Sequence, residues 1–214
     1  MKVLAFNGSP RKQWNTATLL NKALEGASSQ GADTELIHLY DLDFKGCISC
    51  FACKTKDGPS YGECGMKDAL TTVLKEIRDA DALLLGSPIY FGNVTGEMRS
   101  FLERLMFPYL SYTDVPEKLF PGKINVGCIY TMNIPEVAAR QFSYDKLISH
   151  HEGALKRISG GEVEHLYSFD TYQFSDYSKV VASRFDPEQK ARRRAEVFPE
   201  DCRKAFELGV RLAG

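Results

Sequence analysis

The most constraining feature of this chain is a regular alternation of short apolar runs with amphipathic segments. It begins at the second residue. Lys2–Asn7 is an apolar run that stops abruptly at Gly8-Ser9-Pro10. A strand without polar alternation is buried on both faces, which is the habit of strands in parallel sheets. Thr16–Ser29 follows with Leu19, Leu20, Ala23, Leu24 and Ala27 at helical spacing. Gly31 ends that helix. The same spacing predicts strands over Thr34–Leu39, Ala82–Gly86, Lys123–Tyr130 and Glu162–Phe169. Helices are predicted over Lys67–Ala80, Gly96–Met106, Ser143–Ile158 and Glu200–Ala213, the last with Pro199 near its first turn. Five strands alternating with helices imply an α/β fold, a parallel sheet covered on both faces with right-handed crossovers.

Two long segments interrupt the rhythm, Asp41–Gly65 and Thr171–Phe198, and both read as insertions in one domain spanning residues 1–214. Loops of that length in a compact domain are usually functional or bind a partner. The 27 Lys and Arg residues against 28 Asp and Glu leave a net charge of −1, which argues against nonspecific nucleic-acid binding. No apolar run approaches the roughly 18–20 residues a membrane span needs. The opening apolar stretch is too short for a signal peptide. The expected location is therefore cytoplasmic, and the crowding of Cys47, Cys50, Cys53 and Cys64 in a reducing compartment points to metal, cluster or redox chemistry.

The first strand-to-helix turn reads Asn7-Gly8-Ser9-Pro10-Arg11-Lys12-Gln13-Trp14-Asn15-Thr16. It lacks the Lys-Ser/Thr ending of a nucleotide P-loop and the spaced glycines of a dinucleotide fingerprint. It does offer hydroxyls on Ser9, Thr16 and Thr18, the Asn15 amide, the Arg11 cation and the N–H groups that open a helix. A helix N-terminus carries about half a positive charge and unpaired donors, which suit a terminal phosphate without a metal. The ordinary alternative is that Asn15 or Thr16 is a simple N-cap.

Gly8-Ser9-Pro10-Arg11 followed by Asn15-Thr16 resembles the FMN phosphate loop of the flavodoxin-like NADPH-dependent FMN reductases, with the iron-sulfur flavoprotein branch nearest. The resemblance implies a flavodoxin-like three-layer α/β/α sandwich with a five-stranded parallel sheet in the order 2-1-3-4-5. In that order the ligand sits at the switch point beside the carboxyl end of the first strand. It also implies that Pro88, Ile89, Tyr90, Phe91, Gly92 and Asn93 wrap the isoalloxazine, and that the loop at Thr131-Met132-Asn133 borders it through Thr131 or Asn133. From the residues alone, Tyr90 and Phe91 suit the flanks of a flat ring, and Gly92 lets backbone approach closely.

Cys47-Ile48-Ser49-Cys50-Phe51-Ala52-Cys53 spaces three thiols as ferredoxin-type runs do, and Cys64 is available as a fourth ligand after the ten residues Lys54–Glu63. A [4Fe–4S] cluster, free or redox-active thiols, and a four-thiolate zinc site are all open for these residues. Cys128 and Cys202 read as buried structural residues. His150 and His151, beside Asp145, read as a solvated helix face. Arg192-Arg193-Arg194 reads as solvated or paired, with a nicotinamide phosphate as its alternative partner. Trp14 either shields the phosphate or packs on a partner subunit. The Thr171–Phe185 stretch either closes over a neighbouring subunit's flavin or packs on its own surface.

The combined expectation is a noncovalent FMN protein in which no side chain serves as a catalytic acid or base. It would take hydride from NAD(P)H and pass electrons to a flavin, a quinone or an iron-sulfur acceptor. The resemblance further implies a homodimer or homotetramer. The alternatives are a flavin and iron-sulfur electron carrier without a nicotinamide site, or a metal- or thiol-binding protein on the same fold.

Overall fold

The computed structural model of the protein describes all residues, 1–214. Its strands are β1 (Lys2–Asn7), β2 (Asp33–His38), β3 (Ala82–Tyr90), β4 (Asn93–Val94), β5 (Ile124–Thr131) and β6 (Gly160–Ser168). Five of them pair in parallel in the order β2-β1-β3-β5-β6, while the short β4 folds back antiparallel on the end of β3. With β4 set aside, this is the expected 2-1-3-4-5 order of a flavodoxin-like sheet.

The helices are α1 (Asn15–Ser29), α2 (Leu70–Arg78), α3 (Gly96–Met106), α4 (Glu136–Gln141), α5 (Tyr144–Ser159), α6 (Pro187–Glu196) and α7 (Phe198–Ala213). None is long and apolar enough to cross a membrane. Successive strand residues supply opposite layers. Val3 and Ala5 of β1 join Leu84 of β3 in a core with Leu19, Leu20 and Ala23 of α1 and Ala205, Leu208 and Leu212 of α7. Leu4 and Phe6 join Leu83 and Leu85 in the other core, with Val73 and Ile77 of α2, Met98 and Phe101 of α3, and Ile148 and Leu155 of α5. Burial on both sides is why these strands are apolar throughout.

Four features depart from the sequence expectation. Strand β3 continues past Gly86 through Ser87-Pro88 to Tyr90. Its neighbour β1 pairs only as far as Asn7 opposite Gly86, so Pro88 lies where that side of the ladder needs no N–H. The insertion at 171–198 is not all loop, because it contains α6. The Asp186 side chain accepts the N–H groups of Glu188 and Gln189 at 2.9 and 3.2 Å, and Pro187 occupies the first turn. That helix start was visible in the sequence, but Lys190 is its only buried residue, so no apolar periodicity announced it. The helix expected over Lys67–Ala80 is shorter, and the Asp68 side chain accepts the Leu70 N–H at 3.1 Å where it opens. The short helix α4 was also not foreseen.

Helices α1 and α7 meet at two glycines. A Cβ on Gly26 would lie 2.0 Å from the Phe206 carbonyl oxygen, and one on Gly209 would lie 1.8 Å from that of Ala23. Both obstacles are backbone, so only separation of the helices would relieve them. Overpacking of this kind costs about 1–3 kcal/mol and occasionally more. Gly209→Ala is expected to lower unfolding stability by about 3 kcal/mol, read as a reduced urea midpoint. Gly153→Ala, at an exposed position of α5 with nothing within 4 Å, is expected to raise it by about 0.5–1 kcal/mol.

Candidate functional site

The carboxyl ends of β1, β3 and β5 open on one crevice, at the switch point where open α/β sheets take ligands. Asn7 ends β1 with a fully buried side chain. Its Oδ1 accepts the Ser9 N–H at 3.0 Å, and its Nδ2 lies 2.9 Å from Nδ1 of His38 at the end of β2. Ser9 Oγ in turn accepts the Arg11 N–H at 3.1 Å. The Gly8 N–H donates to the Gly86 carbonyl at 2.8 Å, and Thr95 Oγ1 donates to the Gly8 carbonyl at 2.7 Å. Thr95 also caps α3 by accepting the Met98 N–H, and its own N–H donates to Ser87 Oγ at 3.0 Å. The loops after β1 and β3 are thereby tied together.

The N-terminus of α1 points into this crevice and has no side-chain cap. Its first turn also has no acidic residue. Asn15 and Thr16 are not caps, and their side chains bond elsewhere. Asn15 Nδ2 donates to the Tyr172 carbonyl at 2.8 Å and its Oδ1 accepts from Arg194 Nη1 at 2.9 Å. The Thr16 and Thr131 hydroxyls lie 2.8 Å apart, joining α1 to the end of β5. An uncapped helix start leaves N–H donors and partial positive charge without an internal acceptor. The Arg11 guanidinium stands beside it, 3.9 Å over the Trp14 ring, with Nη1 donating to the Gln173 carbonyl at 2.6 Å. Donors, dipole and cation together fit the phosphate of a flavin mononucleotide.

Of the residues expected here, Ser9, Arg11, Asn15, Thr16, Pro88, Ile89, Tyr90, Thr131 and Asn133 line the crevice, which encloses about 120 Å³. Four do not. Thr18 Oγ1 donates back to the Trp14 carbonyl at 3.0 Å, within its own helix. Phe91 and Gly92 form the tip of the β3–β4 hairpin at φ +52° and +82°, and the Phe91 ring projects wholly into solvent. Asn93 Oδ1 accepts the Val94 N–H at 2.9 Å. Positive φ at both tip residues is the geometry of a tight hairpin that matches strand twist. An aromatic residue in that region costs of order 1–3 kcal/mol, so the surroundings hold Phe91 there.

The crevice also takes residues from late in the chain. Thr171 and Gln173 line it along with Trp14 and Met132. The Trp14 indole N–H donates to the Tyr172 carbonyl at 3.0 Å, so the 171–173 segment straps over the first loop of its own chain. Lys190 of α6 is buried and donates to the Asn133 carbonyl at 2.7 Å and to its Oδ1 at 2.6 Å, and it also pairs with Asp170. Arg193, half-buried, pairs with the buried Asp201, and the exposed Arg194 stacks 4.1 Å over Phe198 while holding Asn15. The basic run is thus paired within the protein's own surface, Arg192 near Glu188, Arg193 on Asp201 and Arg194 on Asn15. No spacing rule links residues 171–194 to the first loop, so these contacts carry no local signal. Cys128 is buried in β5 and its thiol is pushed up to about 12 by loss of water, which makes it inert.

The four clustered thiols stand in different surroundings. Cys50 is exposed, Cys47 and Cys64 are half-buried, and Cys53 is buried, which pushes its thiol up. Cys64 Sγ accepts the Nε–H of Arg104 at 2.9 Å. Nowhere do three His, Cys, Asp or Glu side chains gather as a set that could hold a metal ion. The four thiols are not gathered into one site in this arrangement. Arg104 itself is fully buried and makes a two-pronged pair with Asp68 at 2.7 and 3.1 Å, with Nη1 also on the Lys45 carbonyl at 2.9 Å.

Fold and crevice together define a flavodoxin-like α/β protein with an anion-ready first loop. Residues 1–134 match the model of the NADPH-dependent FMN reductase family, and the chain belongs to that family. An iron-sulfur flavoprotein of Archaeoglobus fulgidus is 42% identical over 127 residues, covering 59% of this chain and 60% of the relative. Another, of Methanocaldococcus jannaschii, is 38% identical over 104 residues, covering 49% and 51%. The chain spans roughly half to three-fifths of the length of these relatives. Among solved structures, an NAD(P)H:quinone oxidoreductase from Methanothermobacter marburgensis superposes with a TM-score of 0.67 at 14% identity, covering 99% of this chain and 98% of that one. An FMN-dependent NADH-azoreductase from Bacillus anthracis in complex with FMN gives 0.65 at 14% identity, covering 100% and 99%. At such identities the shared property is the fold.

The Arg104 guanidinium holds the Asp68 carboxyl below its ordinary value of 3.8. A depressed carboxylate contributes its full stability above the unfolded value and loses it as pH falls through the folded one. Asp68→Asn is therefore expected to cost about 3 kcal/mol at neutral pH, because it strands a buried guanidinium. The difference from wild type should shrink in urea titrations as pH falls below 3.8 and on through the depressed folded value, where Asp68 becomes protonated in both states.

Proposed function

We propose that the protein is an FMN-binding oxidoreductase that takes hydride from NADH or NADPH and delivers electrons to a flavin, a quinone or an iron-sulfur acceptor. The observation that carries this is the uncapped, acid-free start of α1 facing a crevice beside Arg11. Bound FMN would supply the redox chemistry, accepting a hydride and releasing electrons singly or in pairs. The chain's part is to hold and orient. The α1 amides and Arg11 would bind the phosphate, with Ser9, Asn15 and Thr16 shaping the loop around it. Pro88–Tyr90 and the residues at Thr131–Asn133 would position the ring side. Lys190 fixes Asn133 through both its carbonyl and its side chain, and Trp14 with the Tyr172–Gln173 strap shields the phosphate end from water.

A second subunit is part of the proposal, as a homodimer or homotetramer. Phe91, Phe142 and Leu147 are exposed, and Gly92 lies against Tyr144 and Leu147, so an apolar patch borders the crevice lip. Patches of that kind on a folded chain mark association surfaces. Light scattering on the purified protein reads the oligomer directly.

For the cysteine loop two readings stand beside each other. The spacing of Cys47, Cys50 and Cys53 and the iron-sulfur flavoprotein relatives support a [4Fe–4S] cluster with Cys64 as fourth ligand. The arrangement of the thiols supports free cysteines. Iron and sulfide analysis of anaerobically purified protein separates them, at about four of each per chain or none.

The flavin reading has two expected outcomes. Purified protein binds FMN, and Arg11→Ala weakens that binding about 10- to 100-fold in a fluorescence-quenching titration, as loss of a charged hydrogen bond to phosphate should. Stopped-flow mixing with NADH and NADPH bleaches the flavin absorbance with at least one of them. A protein that refuses FMN would overturn the reading. Bleaching by neither nucleotide would favour an electron carrier.

A further inference from the structure

A second polar pocket of about 250 Å³ lies beside the cysteine loop and shares no residue with the flavin crevice. It is lined by four cations, Lys67, Lys75, Arg78 and Arg104, against the single carboxylate of Glu63, with Cys64 among the lining residues. Three different parts of the chain supply the cations. Lys67 comes from the loop before α2, Lys75 and Arg78 from α2, and Arg104 from α3. Helix-dipole compensation accounts for bases in the last turn of α2. It does not account for Lys67, or for Arg104 arriving from another helix to face the same space.

The charges are only partly answered from within. Arg78 pairs with Glu63 and Arg104 with Asp68, while Lys67 and Lys75 form no ion pair. Arg104 is held rigid by burial and by its pair with Asp68, with Cys64 and the Lys45 carbonyl as further acceptors, so the unpaired charge facing the pocket is that of Lys67 and Lys75. Two free ammonium groups at the rim and two anchored guanidinium groups match a ligand that carries more than one negative charge.

We propose that this pocket is a binding site for a small polyanion bearing phosphoryl or carboxylate groups, placed beside Cys64 and separate from the flavin crevice. Burying such a ligand relieves the mutual repulsion of the cations and offers them acceptors. The position beside the thiol loop puts the ligand next to the part of the molecule that the FMN phosphate loop does not reach.

The test uses the full-length protein saturated with FMN, so that the first loop is already filled. Pyrophosphate and citrate are titrated separately by isothermal calorimetry at low and moderate salt. The expected result is saturable binding at one site per chain with at least one of the two, weakened at higher ionic strength. Pyrophosphate alone would assign phosphoryl ligands, citrate alone carboxylates, and both a general polyanion site. The Lys67→Gln/Lys75→Gln double variant changes only exposed side chains and should fold normally, and it should weaken binding at least about tenfold. No saturable heat with either anion, or binding that survives the double variant unchanged, would overturn the proposal.

Discussion

The two cores of the molecule meet on β1. Val3, Leu4, Ala5 and Phe6 have no solvent exposure, and they send alternate side chains to opposite helix layers. That double burial fixes the strand in the centre of the sheet, where a slip of one residue would exchange the two layers. The strand then delivers Asn7 to a fixed point. From Asn7 the order spreads outward, to the Ser9 N–H, to His38 on β2, and through Gly8 to Gly86 and Thr95. The crevice is therefore an extension of the core's geometry, and its loops are set by hydrogen bonds that start at a buried amide.

The helix that opens on the crevice is also held from behind. Gly26 and Gly209 let α1 lie backbone to backbone against α7. In front, Thr16 meets Thr131, and Asn15 is gripped by both Tyr172 and Arg194. The side chains one would assign to phosphate contact are thus largely occupied with positioning the helix, which leaves the backbone N–H groups and Arg11 as the principal anion donors. This is consistent with a loop that recognises phosphate through backbone and dipole more than through side-chain hydroxyls.

Much of this was legible in the sequence because it rests on local patterns. The apolar run Lys2–Asn7, the helical spacing from Leu19 to Ala27 and the Gly160-Gly161 break gave the element order, and the alternation gave a parallel sheet. The donors around Ser9, Arg11 and Thr16 marked the first loop. What escaped were contacts between residues far apart. Lys190 carried no signal within the long insertion, yet it is buried on Asn133 and Asp170. Phe91 looked like a ring neighbour, yet the hairpin turn rotates it into solvent. The three arginines read as solvated or paired, and they are paired, but their separate partners Glu188, Asp201 and Asn15 were not legible. Arg104 carried no signal at all, since a single arginine in an amphipathic helix reads as solvated, while here it is the most deeply placed charge in the protein.

The pairing of α1 with α7 has a consequence for biosynthesis. The first loop and its helix leave the ribosome before the rest of the sheet, but the helix that backs them and the segment that straps them follow β6. Thr171, Gln173 and Arg194 all lie beyond residue 134, where the family match ends. A nascent chain holding every strand of the sheet would still present an unbacked α1. In a geometry like this one the first loop acquires its backing only when α7 docks, and completion of the sheet alone does not supply it.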